Sequence, residues 1–239
     1  MMAGTIGLPL KSALNDLLDL FYPQACAACA NTLQKDEEHI CLFCQHTLPR
    51  TDFHLERGNP LEKVFWGRFP IEAGGAFLYF KKGSSVQELL HNIKYRGTKE
   101  AAETLGRWYG EQLREEPIFL GVDYVVPVPL HRKKLRKRGY NQSEWFGEGI
   151  AKGMGKDMDT ANLIRTQNTE SQTKKGRFNR WQNVAEVFRI EKNKYFAGKH
   201  VLLVDDVVTT GSTLEACAQT LLNDDPNTKI SIVTLAFAT

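Results

Sequence analysis

The stretch Val201-Leu-Leu-Val-Asp-Asp-Val-Val-Thr-Thr-Gly-Ser-Thr213 sets the architecture of the chain. Four consecutive apolar residues at 201–204 predict a short strand covered on both faces, as at the centre of a parallel sheet with helices on each side. In open α/β sheets ligands bind beyond the carboxyl ends of the strands. Residues 205–213 form such a loop, running from the adjacent carboxylates Asp205 and Asp206 into Thr209, Thr210, Gly211, Ser212 and Thr213 at the start of a helix. Small hydroxyl residues and a glycine let backbone N–H groups and side-chain hydroxyls close around a phosphate, and the helix dipole favours the anion. Carboxylates repel phosphate, so the two acids must face vicinal sugar hydroxyls or a bound Mg²⁺. The pattern predicts a ribose phosphate. A strand and helix joined by an N-capped turn would account for Ser212 or Thr213, but not for the paired acids. Neither a Walker loop nor a dinucleotide Gly-x-Gly-x-x-Gly occurs at this position.

Outward from this motif, strand and helix signals alternate. Ala76–Phe80, Tyr124–Val128, Asn162–Arg165, His200–Asp205 and Lys229–Phe237 read as strands; Val86–Lys94, Lys99–Arg114, Gln142–Lys152 and Ser212–Leu222 read as helices. Such alternation implies parallel pairing. The expected class is therefore α/β, a mainly parallel sheet flanked by helices.

The net charge is only +3, but its placement is uneven. Residues 132–138 hold six cations and residues 174–180 hold four, with no acid in either window, so the rest of the chain is net acidic. The first window lies in a cationic loop directly after the Tyr124–Val128 strand. The second lies in a long polar connection, 165–188, of the kind that is usually a functional lid or disordered. Arginine suits bidentate phosphate recognition better than lysine, which favours Arg132, Arg136, Arg138, Arg177 and Arg180 over their lysine neighbours. His131, a lone histidine beside a basic run, reads as structural.

Cys26-x-x-Cys29 and Cys41-x-x-Cys44, eleven residues apart, make two knuckles able to surround one tetrahedral Zn²⁺ with four thiolates. A doubled motif in a reducing cytosol favours structural metal over a redox pair or disulfides. Cys217, in an apolar helix, reads as core. Before the first knuckle, Leu10, Leu14, Leu17, Leu18 and Phe21 recur at helical spacing and predict an amphipathic helix ending before Pro23. Pro49, Gly58 and Pro60 mark a linker, so residues 1–58 are expected to form helix and zinc module, and 59–239 the main domain.

At 239 residues, with 42% hydrophobic and 25% charged residues, the chain has material for one full domain and a small appendage, and a disordered or fibrous protein is excluded. No apolar run is long enough for a membrane span, and the first residues lack the basic start of a secretory signal. A cytoplasmic protein is expected.

Four apolar residues, Asp-Asp, two apolar residues and Thr-Thr-Gly-Ser-Thr resemble the binding motif of type I phosphoribosyltransferases. The two basic segments resemble, in order and position, the pyrophosphate loop and flexible closing loop of those enzymes. Arg132-x-x-x-Arg136-x-Arg138-Gly-Tyr-Asn-Gln142, Thr169-x-x-Gln172 and Arg180-x-x-Asn183-Val are similar to the ComF family of competence-associated proteins, and with the cysteines the resemblance covers nearly the whole chain. It implies the type I phosphoribosyltransferase fold with a small N-terminal zinc module, and phosphoribosyl pyrophosphate with Mg²⁺ as ligand. In the implied reaction an acceptor nitrogen displaces pyrophosphate. Asp205 and Asp206 would be the catalytic pair, Thr209–Thr213 the terminal phosphate site, Arg132, Arg136 and Arg138 the pyrophosphate site, and Gln172, Lys174, Arg177 and Arg180 part of the lid. The same resemblance implies a part in DNA uptake, with single-stranded DNA and DNA-uptake proteins as partners, contacted through the zinc module, the basic loops and Trp181.

Overall fold

The computed structural model describes residues 24–166 and 187–238. The helix expected at 10–22 and the lid residues Gln172, Lys174, Arg177 and Arg180, like Trp181, lie outside the described residues.

Among the described residues, five parallel strands form one sheet in the order β1-β7-β6-β2-β3: β1 is Ala73–Phe80, β2 Tyr124–Pro127, β3 Asp157–Met158, β6 His200–Val208 and β7 Lys229–Ala238. The predicted apolar run lies at the centre, with Val204 paired to Val233 of β7 and Pro127 of β2. Its residues alternate between two cores. Leu202 and Val204 pack with the helices α3 (Ser85–Tyr95), α4 (Lys99–Glu115) and α7 (Gln142–Met154) on one face. Val201 and Leu203 pack with α2 (Pro60–Phe65) and α8 (Ser212–Asp224) on the other.

Two details depart from expectation. The strand at Leu163–Arg165 (β4) does not join the parallel sheet but pairs antiparallel with Phe188–Ile190 (β5), because both flank one connection that leaves and returns at the same place. Residues Arg132–Arg138 are a helix, α6, not a loop. His131 Nδ1 accepts from the Lys133 N–H at 3.2 Å and starts the helix; Gly139, at φ 84°, ends it. The structural reading of His131 therefore takes the specific form of an N-cap.

α4 and α7 cross unusually closely. A Cβ added to Gly110 would lie 2.5 Å from the Ile150 carbonyl oxygen, one on Gly153 equally near that of Arg107, and Gly106 and Gly149 are tighter still against Phe146 and Glu103. Four glycines thus let two backbones touch and fix α7, which carries a residue of the site. The cysteine segment, with α1 (Leu42–Thr47), shares the core of α3 and α4 and covers the open edge of β1. Tyr79 N–H donates to the Pro49 carbonyl (2.8 Å), and Asn92 Nδ2 to that of Ala27 (2.8 Å). Two further short helices, the α5 segment Pro117–Leu120 and a 3₁₀ turn at Phe53–Leu55, fill connections. Among the described residues no helix is long and apolar enough to cross a membrane.

Candidate functional site

Asp205 and Asp206 are still within β6, which runs to Val208 instead of ending at 205. The ladder to β7 carries the strand on, pairing Asp205 with Thr234 and Val207 with Ala236. The acids are therefore held by sheet hydrogen bonds, a stiffer mount than the predicted loop. Asp205 accepts from Ser143 Oγ at 2.8 Å and from the Asp206 N–H at 2.9 Å. Burial, followed by the neighbouring Asp206 carboxylate, pushes its carboxyl up to about 7 against the opposing pull of Ser143 and Lys94. Asp206 pairs with Lys94 Nζ at 2.8 Å.

Ser143 is delivered by the first turn of α7. The buried Asn141 caps that helix, its side chain accepting from the Ser143 N–H (3.2 Å) while its Nδ2 donates to the Val128 carbonyl (3.0 Å). One asparagine thus locks the end of β2 to the start of α7 and aims Ser143 at Asp205.

Beyond β6, Gly211 is the residue before α8, in the left-handed region at φ 74°, and no side chain caps the helix. A Cβ there would meet Phe65 Cε1 at 2.7 Å and Val64 Cγ1 at 2.8 Å, so both backbone angle and space require glycine. Thr209, Thr210, Ser212 and Thr213 are exposed around it, with the Thr210 and Ser212 hydroxyls 3.0 Å apart. Arg68 props the turn from beneath, donating to the Thr210 carbonyl at 2.9 Å and pairing with Glu215 at 3.1 Å. An uncapped helix start with hydroxyls around it leaves N–H donors available to an anion.

Beside Asp206 opens a cleft of about 530 Å³, lined by Lys94, Tyr95, Gly97, Lys134, Lys137, Arg138 and Tyr140. Helical spacing explains which cations of α6 face it: Lys134, Lys137 and Arg138 share one side at i, i+3 and i+4, while Arg132 and Arg136 lie exposed and outside the lining. The structure thus brings Arg138 to this cleft, but not the other two arginines. Lys94, Ser143 and Arg68 were not singled out in the sequence. Each is distant in the chain from the residue it serves, and only its place at a helix end marks Lys94 or Ser143.

The Sγ atoms of Cys26, Cys29, Cys41 and Cys44 lie within 4.8 Å of one another, Cys29 and Cys41 at 3.7 Å, and all four thiols are free. Thiolates about 2.3 Å from a tetrahedral zinc lie roughly 3.8 Å apart, so the set fits that ion. N–H groups already point at the sulfurs, Cys41 N at 3.3 Å from Cys26 Sγ and Cys44 N at 3.5 Å from Cys41 Sγ. Burial raises the Cys26 thiol, but N–H donors from Cys41, Ala28 and Cys29 outweigh it and bring it down to about 7. Cys217 is buried in the α8 core, as expected.

Residues 142–238 match the phosphoribosyl transferase domain family, a segment that holds Ser143, both acids and the Gly211 turn. Over 203 residues the chain is 30% identical to the DNA utilization protein YhgH of Escherichia coli K12, covering 83% of this chain and 84% of that one. It is 25% identical over 218 residues to the competence protein ComFC of Bacillus subtilis (89% and 83% covered). To competence protein F of Haemophilus influenzae it is 27% identical over 199 residues (82% and 77%).

Proposed function

Since the chain belongs to the ComF family of phosphoribosyltransferase-like proteins, we propose that it binds phosphoribosyl pyrophosphate with Mg²⁺ and transfers the phosphoribosyl group to an acceptor nitrogen. The observation that carries this reading is the pairing of a half-buried Asp205–Asp206 couple with an uncapped helix start at Gly211. A carboxylate pair beside an anion cradle suits a molecule with a diol next to a phosphate.

Asp205 and Asp206 hold the ribose hydroxyls, and the N–H groups and hydroxyls of Thr209, Thr210, Gly211, Ser212 and Thr213 hold the terminal phosphate. The carboxylate oxygens are also the donors that suit Mg²⁺, which when bound supplies charge neutralisation to the pyrophosphate. Ser143 steadies Asp205, and Arg138, with Arg132 and Arg136 if α6 turns toward the ligand, meets the leaving pyrophosphate. The bond from the anomeric carbon to the pyrophosphate oxygen breaks with its electron pair on the oxygen. The acceptor nitrogen bonds to that carbon, and the proton it loses passes to solvent. Gln172, Lys174, Arg177 and Arg180 are assigned to a lid that keeps water from the reactive sugar.

The four cysteines hold a structural Zn²⁺ in an appended module within residues 1–58, with 59–239 as the ligand-binding domain, in a cytoplasmic protein. A second reading is favoured by the relatives' names and by the exposed cations of α6: handling of single-stranded DNA alongside DNA-uptake proteins.

Calorimetry with phosphoribosyl pyrophosphate and Mg²⁺ separates the two. Saturable binding by the wild type that is lost in Asp205→Asn/Asp206→Asn is the expected result. No binding to the wild type sinks the transferase reading, and steeply salt-dependent oligonucleotide binding in its place establishes the second.

A further inference from the structure

The cleft beside Asp206 is built by α3, the turn after it, α6 and the lead-in to α7. Its lining residues, Lys94 to Tyr140, all precede the segment 142–238 that matches the domain family.

Its chemistry is specific. Lys94 is engaged by Asp206 at 2.8 Å, whereas Lys134, Lys137 and Arg138 have no ion-pair partner among the described residues. Three uncompensated cations with no acid in the lining call for a multiply charged anion. The remaining walls are aromatic. Tyr95 is 63% exposed, with the Arg138 guanidinium 5.2 Å from its ring centre, and Tyr140 is anchored by its hydroxyl donating to the Ile93 carbonyl. A diphosphate has no use for ring faces, and at about 530 Å³ the cleft is larger than one requires. It falls within the size of sites for small organic ligands, about 300–1,000 Å³.

We infer that this cleft is a nucleotide site, in which Lys134 and Lys137 take the phosphate of a nucleoside monophosphate and the Tyr95 and Tyr140 rings take its base. Lys94 lines the cleft and touches Asp206, so the bound nucleotide lies next to the sugar site. Its role as the acceptor class rests on the transferase reading above. An unprotonated ring nitrogen of an adenine base would form the new bond to the anomeric carbon with its lone pair as the carbon–oxygen bond of phosphoribosyl pyrophosphate breaks with its electrons going to pyrophosphate, and the resulting cation would lose a proton from the exocyclic amino group to solvent.

The test is calorimetric titration of the full chain with adenosine 5′-monophosphate, adenosine, inorganic phosphate and phosphoribosyl pyrophosphate, on wild type, Lys134→Ala/Lys137→Ala and Tyr95→Ala. The three substituted residues are exposed, so folding is retained. The monophosphate should bind the wild type about tenfold or more tightly than adenosine or phosphate alone. The lysine variant should lose roughly tenfold in monophosphate affinity and Tyr95→Ala about fivefold, with inorganic phosphate binding unchanged in the latter. Phosphoribosyl pyrophosphate should change by no more than about twofold in either.

Monophosphate no tighter than phosphate overturns the inference. So does an equal loss of phosphoribosyl pyrophosphate affinity in the lysine variant, which would make the cleft its diphosphate site. An oligothymidylate that binds through these residues where the monophosphate does not also overturns it, in favour of a strand site. Asp205→Asn/Asp206→Asn keeps the two ideas apart. Monophosphate binding there, with none of phosphoribosyl pyrophosphate even by wild type, upholds the site and removes its acceptor role.

Discussion

Asp205→Asn should make the protein more stable at pH 8 while abolishing its grip on the sugar phosphate. Burial and Asp206 raise the Asp205 carboxyl from 3.8 to about 7. The folded state therefore binds the Asp205 proton more tightly than the unfolded chain does. Its contribution to stability is full below about pH 4 and is lost as pH rises through about 7. At about 1.4 kcal/mol per pKa unit the shift makes the ionised aspartate cost roughly 3–5 kcal/mol at pH 8. Asparagine is nearly isosteric, and its Oδ1 can still accept from Ser143 Oγ and the Asp206 N–H, so the substitution removes the charge without orphaning either donor. Urea denaturation of wild type and variant at pH 4 and pH 8 isolates the effect of Asp205 and its charged neighbours, because titrating groups distant from it cancel in the difference. The variant should gain roughly 3–5 kcal/mol over wild type at pH 8 and little at pH 4. A variant less stable at pH 8, or a gain independent of pH, would refute the claim that Asp205 is held there against its electrostatic preference. Stability gained with binding lost is the signature of a residue kept for a ligand.

Gly211→Ala should destabilise by about 2 kcal/mol, from the left-handed backbone and the contacts with Phe65 and Val64, and weaken sugar-phosphate binding measured by calorimetry. Gly149→Ala, far from the ligand, should cost about 2–3 kcal/mol in urea denaturation by forcing α7 off the Glu103–Arg107 backbone. Elemental analysis of the purified protein should find zinc at one ion per chain at roughly full occupancy, and Cys44→Ser should lose the metal and lower the melting temperature. Metal-free protein from zinc-supplemented medium with an unchanged melting temperature would refute the module's assignment.

The parallel sheet and its flanking helices were legible because their signals are local. The helix expected at Lys99–Arg114 runs Lys99–Glu115, and that at Gln142–Lys152 runs Gln142–Met154, each with a repeating apolar face. α6 was not legible. Leu135 is the lone apolar residue in Arg132–Arg138 and is exposed, so no amphipathic pattern exists, and the helix rests on the His131 cap and the Gly139 stop. The continuation of β6 through two aspartates was equally hidden, since the partners that hold it, Thr234 and Ala236, lie on another strand.

The same distinction divides the site. The cradle and the acids are contiguous in the chain, so a single motif announces them. What tunes them arrives from elsewhere: Ser143 from α7, Lys94 from α3, Arg68 from the segment after α2. A carboxylate raised to about 7 exists only because the fold buries it beside a second acid, and Ser143 and Lys94 hold that rise in check. Lys94 makes the arrangement asymmetric. It is ion-paired with Asp206 and pulls only more weakly on Asp205, leaving one acid paired and the other with its carboxyl raised to about 7. A diol or cation entering the site therefore meets one ion-paired acid and one whose ionisation ligand binding can draw out, releasing a proton. Binding of phosphoribosyl pyrophosphate should accordingly be tighter at pH 8 than at pH 6, in step with Asp205 ionisation, and equal affinity by calorimetry at the two pH values would refute that coupling.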